Sequence, residues 1–331
     1  MMTRRLSRRS FLVGSATAAS AVAIGRPAIA ASKKVRVRDA HTLVAGAGSL
    51  WLGGDLQVNR IGLGTAEFTG PDRWGEPENV QEIHTLLRRA VELGVNYIDT
   101  ADVYGPKVSE QIIHDALYPY PPDLVIGTKG GQTHDVKGPN GYDARPERLR
   151  ASCEASLKRL QLEQIPLYQM HSPDTKVPYE DSIGELARLQ KEGKIRHIGV
   201  CNVDAALLAK ARAIVKVVAV QNRYNILSRE SDDLVSLCER EKMVFMPYGP
   251  LGGRSTQALK TEDARLAGLQ KIAAERHIDM PQMVLAWLLA RSPAMLPIPG
   301  TSKLAHMEDN VGAARVHLTR KEMQRIESGS A

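Results

Sequence analysis

Cysteine is scarce in this chain. Cys153, Cys201 and Cys238 are the only three in 331 residues, and no two are closely spaced. That argues against a disulfide framework and against a cysteine-rich zinc site. No histidine or carboxylate spacing suggests another metal centre, and no carboxylate pair is set out as in a glycosidase. Long apolar runs are missing too. The uncharged stretch at residues 12–25 is short and rich in Ala, Gly and Ser, so a permanent membrane anchor is not expected. No heptad pattern appears, and no P-loop. The one glycine cluster near a predicted first strand, Gly62-Leu63-Gly64-Thr65-Ala66-Glu67, lacks the last glycine of a dinucleotide fingerprint and does not open a helix.

A large charge excess is also absent once the first residues are set aside. The whole chain carries +7, but residues 1–30 hold Arg4, Arg5, Arg8, Arg9 and Arg26 and no acid, leaving +2 for the remainder. So weak a bias implies neither nucleic acid nor an anionic membrane as partner. The same residues form a leader pattern: Ser7-Arg8-Arg9-Ser10-Phe11-Leu12, a short apolar region, then Ala28-Ile29-Ala30-Ala31. Paired arginines before Phe-Leu resemble a twin-arginine export signal, with cleavage expected after Ala30. A disordered basic tail or an uncleaved tether are the alternatives. The expected organisation is a signal peptide over 1–30, a flexible start over 31–48 and one domain over 49–331. The twin-arginine machinery would then be a partner, and the periplasm the destination of a chain that folds before export.

The remaining residues alternate between strand and helix patterns. A hairpin is expected at residues 50–58 around Gly53-Gly54-Asp55. Apolar strands follow at 60–68, 97–101, 124–129, 165–171, 195–202, 217–222, 243–248 and 295–299. Between them lie segments of helical spacing, several closed by glycine or opened by proline or aspartate. Eight short strands with no composition break predict a single (β/α)8 barrel, with further helices near the C-terminus. An open doubly wound sheet is the rival. A closed barrel has no free strand edge, and a monomer is expected.

In such a barrel, strand C-terminal ends carry the chemistry. Here they bear Asp99, Tyr104, Lys129 and His171. A buried lysine needs a partner, which Asp99 can be. A nearby ammonium favours a phenolate, so Lys129 is expected to lower the pKa of Tyr104. Tyr104 could then give a proton to a developing alkoxide, and His171 could donate a second hydrogen bond to that oxygen. The set suits carbonyl reduction.

Residues 94–105, Gly94-Val95-Asn96-Tyr97-Ile98-Asp99-Thr100-Ala101-Asp102-Val103-Tyr104-Gly105, and the segment from Ile298-Pro299-Gly300-Thr301-Ser302-Lys303 to Asn310 resemble the signature and cofactor segments of the aldo/keto reductases. The resemblance runs from about residue 50 to the last helix. It implies an NAD(P)H-dependent oxidoreductase acting on a small aldehyde, ketone or alcohol, with Tyr104 as general acid/base. It further implies that Tyr248 stacks on the nicotinamide, and that Asn202 and Gln221 bind its carboxamide. Pro250, Leu251 and Gly252 would wrap the pyrophosphate, and Thr301, Asp309 and Asn310 would hold the adenosine end. Cys201 stands where the family usually has serine. His306 stands where many members have arginine, with Lys303 as the other candidate for a 2′-phosphate; NADP is favoured over NAD. Trp74, His134 and Arg254 are expected to shape the substrate pocket. A non-catalytic nucleotide-binding or regulatory subunit on the same fold is the alternative, and a barrel hydrolase or lyase is a weaker one.

Overall fold

The computed structural model describes residues 43–133, 141–252 and 263–328. The expected leader, His134 and Arg254 lie outside them. Val44–Ala47 forms a 3-10 turn with Val44 fully buried. Strands β1 (Ser49–Leu52) and β2 (Leu56–Asn59) pair antiparallel. Then come β3 (Leu63–Gly64), α1 (Val80–Glu92), β4 (Tyr97–Asp99), α2 (Val108–Leu117) and β5 (Val125–Gly130). A small antiparallel pair, β6 (Gln132–Thr133) and β7 (Gly141–Tyr142), interrupts the alternation. It resumes with α3 (Pro146–Leu160), β8 (Ile165–Met170), α4 (Tyr179–Lys191), β9 (Ile195–Cys201), α5 (Ala205–Ile214), β10 (Val217–Arg223), α6 (Asp232–Arg240) and β11 (Val244–Tyr248). Four helices complete the described chain: α7 (Ala264–Arg276), α8 (Met280–Arg291), α9 (Leu304–Gly312) and α10 (Arg320–Ser328).

Local chemistry accounts for these elements. Asn79 caps α1 by accepting from Glu82 N at 3.1 Å, and Gly94, at φ 95°, turns the chain out of it. The buried face of α1 is Ile83, Leu86, Leu87 and Ala90. Asp204 caps α5 through Leu207 N at 2.8 Å. Pro146 opens α3, where a missing N–H costs nothing. Strand β5 is buried at every position, as expected of parallel strands covered on both faces.

The principal sheet is a curled parallel one of seven strands, in the order β11-β10-β9-β8-β5-β4-β3. The expected eighth strand, at 295–299, is not a ladder strand. Its segment still meets both sheet edges. On one side Phe245 N donates to Ala294 O and Leu296 N to Phe245 O, both at 2.9 Å. On the other, Gly62 N reaches Pro297 O at 2.9 Å and Gly64 N reaches Pro299 O at 3.2 Å. Pro297 and Pro299 have no N–H to return, which reduces the pairing to single bridges. The first predicted strand shrinks to Leu63–Gly64 for the same reason. A Cβ on Gly64 would lie 2.7 Å from Ile298 O, so the close approach needs glycine there.

Two apolar clusters result. The larger lies between the sheet and its helices. The smaller lines the concave side and includes Tyr97, Leu167, Met246 and Leu296 together with Leu52 and Val58 of the hairpin. Burial of those two hairpin side chains stabilises by roughly 1.5–3 kcal/mol each. All seven strands of the curled sheet run the same way, so their C-terminal ends share one rim.

Candidate active site

Asp99 ends β4, Lys129 stands near the end of β5, and His171 follows β8. Parallel register sets Lys129 opposite Gln169 and Asp99 opposite Gly127. Tyr104 comes from the turn after β4, where Tyr104 N donates to Ala101 O at 3.2 Å. Gly105 follows at φ 88°, and a Cβ there would lie 2.5 Å from Val108 Cβ.

The four residues converge. Lys129 Nζ donates to Asp99 Oδ2 at 2.5 Å and to Thr100 O at 2.8 Å, and lies 3.5 Å from the Tyr104 hydroxyl. The Tyr104 and His171 rings meet edge to face with centroids 5.9 Å apart. Lys129 is wholly buried. Asp99 is held by three further donors on Oδ1: Gln221 Nε2 at 2.8 Å, Gln169 Nε2 at 3.3 Å and Tyr97 Oη at 3.4 Å. Sequence reading missed the part of Gln169 and Tyr97, although both stand in the strand-end segments that carry the other residues.

Burial disfavours the Lys129 charge, but Asp99 and then Tyr104 outweigh it and hold the ammonium above its ordinary pKa. His171 is pushed well below the usual histidine range, first by burial, then by Lys129 and Arg73. It is therefore neutral near pH 7. The expectation for Tyr104 needs correction. Burial raises its pKa more than Lys129 lowers it, so the net direction is upward.

Of the residues assigned to a nicotinamide nucleotide, Asn202, Gln221 and Tyr248 stand at or near the C-terminal ends of β9, β10 and β11. Asn202 has φ 56°, an outlier of a kind that gathers at functional sites. Its Nδ2 donates to His171 O at 2.8 Å and Ser172 Oγ at 3.1 Å, and its Oδ1 accepts from Tyr248 Oη at 2.8 Å. Gln221 turns its amide nitrogen to Asp99, leaving the carbonyl oxygen as its acceptor for a ligand. Pro250 is buried, while Leu251 and Gly252 are half-buried. Asn310 is buried on α9, and His306 and Asp309 are exposed on the same helix. Thr301 Oγ1 accepts from Lys303 N at 3.1 Å, and Lys303 Nζ lies 3.6 Å from Glu82. Among the described residues, His171 Nδ1 is buried without a partner. An orphaned ring nitrogen in a rim of amides and hydroxyls fits a site that a ligand completes.

The loop after β3 closes one side. Trp74, partly exposed, forms a backbone bridge with Gly105. Asp72 and Arg73 both adopt left-handed backbone, at φ 54° and 61°. Two consecutive non-glycine residues there cost roughly 1–2 kcal/mol each. Arg73 Nη2 pairs with Glu67 at 3.0 Å. Sequence reading picked out this loop but not Arg73.

Comparison with known proteins agrees with this geometry. The model of the aldo/keto reductase family matches residues 60–330. An uncharacterized oxidoreductase of Schizosaccharomyces pombe is 40% identical over 268 residues, covering 80% of this chain and 85% of that protein. Pyridoxine 4-dehydrogenase of Escherichia coli is 36% identical over 287 residues, covering 83% and 96%. The structure of an aldo-keto reductase from Klebsiella pneumoniae in complex with NADPH superposes with a TM-score of 0.72 at 25% identity, over 85% of this chain and 94% of that one. With a matched segment that takes in every member of the Asp99, Tyr104, Lys129 and His171 cluster, the chain belongs to the aldo/keto reductase family.

Proposed function

We propose that this NAD(P)H-dependent oxidoreductase reduces a small aldehyde or ketone, or oxidises the corresponding alcohol, with Tyr104 as acid and base. The observation that carries the reading is the contact chain from Asp99 through Lys129 to Tyr104, with a neutral His171 beside it. When bound, a reduced nicotinamide nucleotide supplies the hydride that the carbonyl carbon accepts. Tyr104 gives its proton to the oxygen, so one hydride and one proton make the alcohol. The phenolate left behind faces Lys129, and Asp99 keeps that ammonium charged and in place. Neutral His171 orients the carbonyl as a hydrogen-bond donor. In the other direction the phenolate takes the alcohol proton.

Tyr248, Asn202 and Gln221 would hold the nicotinamide end, with the free Gln221 carbonyl suited to a carboxamide N–H. Pro250, Leu251 and Gly252 would lie along the pyrophosphate, and Thr301, Asp309 and Asn310 at the adenosine. NADP is favoured over NAD because Lys303 is exposed beside the first turn of α9, and because the Klebsiella relative binds NADPH. The frame for this is a closed (β/α)8 barrel with the segment 295–300 as its eighth stave. Export through the twin-arginine route to the periplasm, and action as a monomer, complete the reading.

The test is loss of reduced-nicotinamide absorbance with NADPH and with NADH over a panel of carbonyls. Tyr104→Phe should lower kcat by about 10²–10⁴-fold while nucleotide binding persists. Undiminished turnover in that variant would overturn the assignment.

A further inference from the structure

We propose that Arg73 selects substrates whose carbonyl-bearing molecule also carries an anionic group, a carboxylate or a phosphate. The inference rests on the reductase reading of the site.

Arg73 is tied to the catalytic turn by backbone. Gly105 N donates to Arg73 O at 3.1 Å, and Gly75 N donates to Gly105 O at 2.9 Å. The residue after Tyr104 and the Arg73 loop are therefore tied to each other through the backbone. Within that loop the chain turns left-handed at Asp72 and Arg73, a conformation that side chains resist.

The guanidinium is under-used. A planar fork of N–H donors suits a carboxylate or phosphate. Among the described residues one contact, from Nη2 to Glu67, is made, while Nε is buried without a partner. The side chain remains 40% exposed. Lys129 is the other cation that bears on His171, but it is wholly buried and engaged by Asp99 and the Thr100 carbonyl. It has no face to offer an incoming anion. Arg73 does, and its charge is felt at both Tyr104 and His171. A propping role for the Glu67 pair accounts for less. A partly exposed ion pair contributes little, and it gives no reason for strained backbone or an idle Nε.

The experiment compares charged and neutral partners of one shape. kcat/KM is measured for 4-carboxybenzaldehyde against benzaldehyde, and for glyceraldehyde 3-phosphate against glyceraldehyde, in the wild type, Arg73→Gln and Arg73→Lys. The expected result is a fall of at least tenfold in the charged-to-neutral ratio for Arg73→Gln, carried mainly by KM and partly restored in Arg73→Lys. The pair with the larger fall identifies carboxylate or phosphate as the better anion. A ratio unchanged within twofold for both pairs, including the case where charged and neutral rates fall together, overturns the proposal. Calorimetric titration of benzoate, with and without NADP, gives a readout that needs no turnover. If no carbonyl of either charge is reduced, the reductase reading fails. Benzoate then decides the role of Arg73: at least tenfold weaker binding to Arg73→Gln upholds it, and equal binding overturns it.

Discussion

Replacing Asp99 by asparagine isolates the energetics of the buried ion pair. Asp99 is 2% exposed and Lys129 is fully buried. The carboxylate accepts from Lys129 on Oδ2 and from Gln221, Gln169 and Tyr97 on Oδ1. Asparagine keeps one acceptor oxygen and puts an NH2 where the other was. That NH2 faces either the ammonium or the glutamine amides, all of them donors. The ammonium is left buried without a counter-charge, a loss of about 3–5 kcal/mol. At roughly 2–4 °C per kcal/mol for a domain of this size, the melting temperature at pH 7 should fall by about 6–20 °C. The deficit should depend on pH in a definite sense. In the wild type the Lys129 pKa is raised above 10.5, so its contribution is present below that value and lost as pH climbs through the folded one. In Asp99→Asn the largest opposing charge is lost, and Tyr104 and Cys201, both of raised pKa, are uncharged over the interval tested, so burial drives the Lys129 pKa below the ordinary value. The native state then binds fewer protons than the unfolded chain in the interval, and the variant gains stability as pH rises toward 10.5. Thermal melts at pH 7 and pH 9.5 therefore suffice. A deficit under about 1 kcal/mol at pH 7, or one of the same size at both pH values, would refute the reasoning.

Two other substitutions test the frame around the site. Asp102 is buried, its Oδ1 has no partner among the described residues, and its pKa is pushed up to about 6, first by burial and then by Glu110. A raised carboxyl pKa means the native state holds the proton more tightly, so this group's contribution falls as pH rises from about 4 to 6. Asp102→Asn should thus be more stable than wild type by about 3 kcal/mol at pH 7, with no advantage at pH 4; urea melts showing the reverse order would contradict this. Arg60 joins the segment after β2 to the chain at residues 289–295, donating to Leu289 O at 2.8 Å, Ser292 O at 2.6 Å and Met295 O at 3.3 Å. Arg60→Met should lose about 3 kcal/mol in a thermal melt, and a loss below about 1 kcal/mol would show that water satisfies those carbonyls instead.

Three of the clustered residues were legible because Asp99, Lys129 and His171 stand at or just after strand ends, and strand ends can be counted. Asp99, Lys129 and His171 follow apolar runs that only strands explain, and Tyr104 follows Asp99 within one turn. What escaped the sequence depends on contacts between distant elements. The eighth strand reads as apolar, yet Pro297 and Pro299 remove the N–H groups a ladder needs. Gln169 and Gln221 look like rim residues, but both amides turn to Asp99 because its second oxygen needs donors. Arg73 sits in the loop that Trp74 drew attention to, but nothing in the sequence singles out the arginine itself. Only the left-handed turn and the bridge to Gly105 bring it beside Tyr104.

The direction of the Tyr104 shift is the clearest case of a local rule overruled by packing. An ammonium 3.5 Å away favours the phenolate, as proximity alone predicts. Burial opposes it more strongly, and the Asp99 charge opposes it too, so the resting phenol is harder to ionise than a free one. In the proposed role of proton donor that is an advantage, because the group arrives protonated at neutral pH. On that proposal Lys129 would matter most after the proton has left, when the phenolate and the ammonium face each other. His171 cannot take over the donor's part. Burial, Lys129 and Arg73 all act against its protonated form, and a neutral imidazole has only a hydrogen bond to give. The Lys129 and Arg73 charges, which add to burial in keeping His171 neutral, would also draw an anionic substrate toward Arg73, so the proposed acid and the proposed substrate class rest on one arrangement of charge.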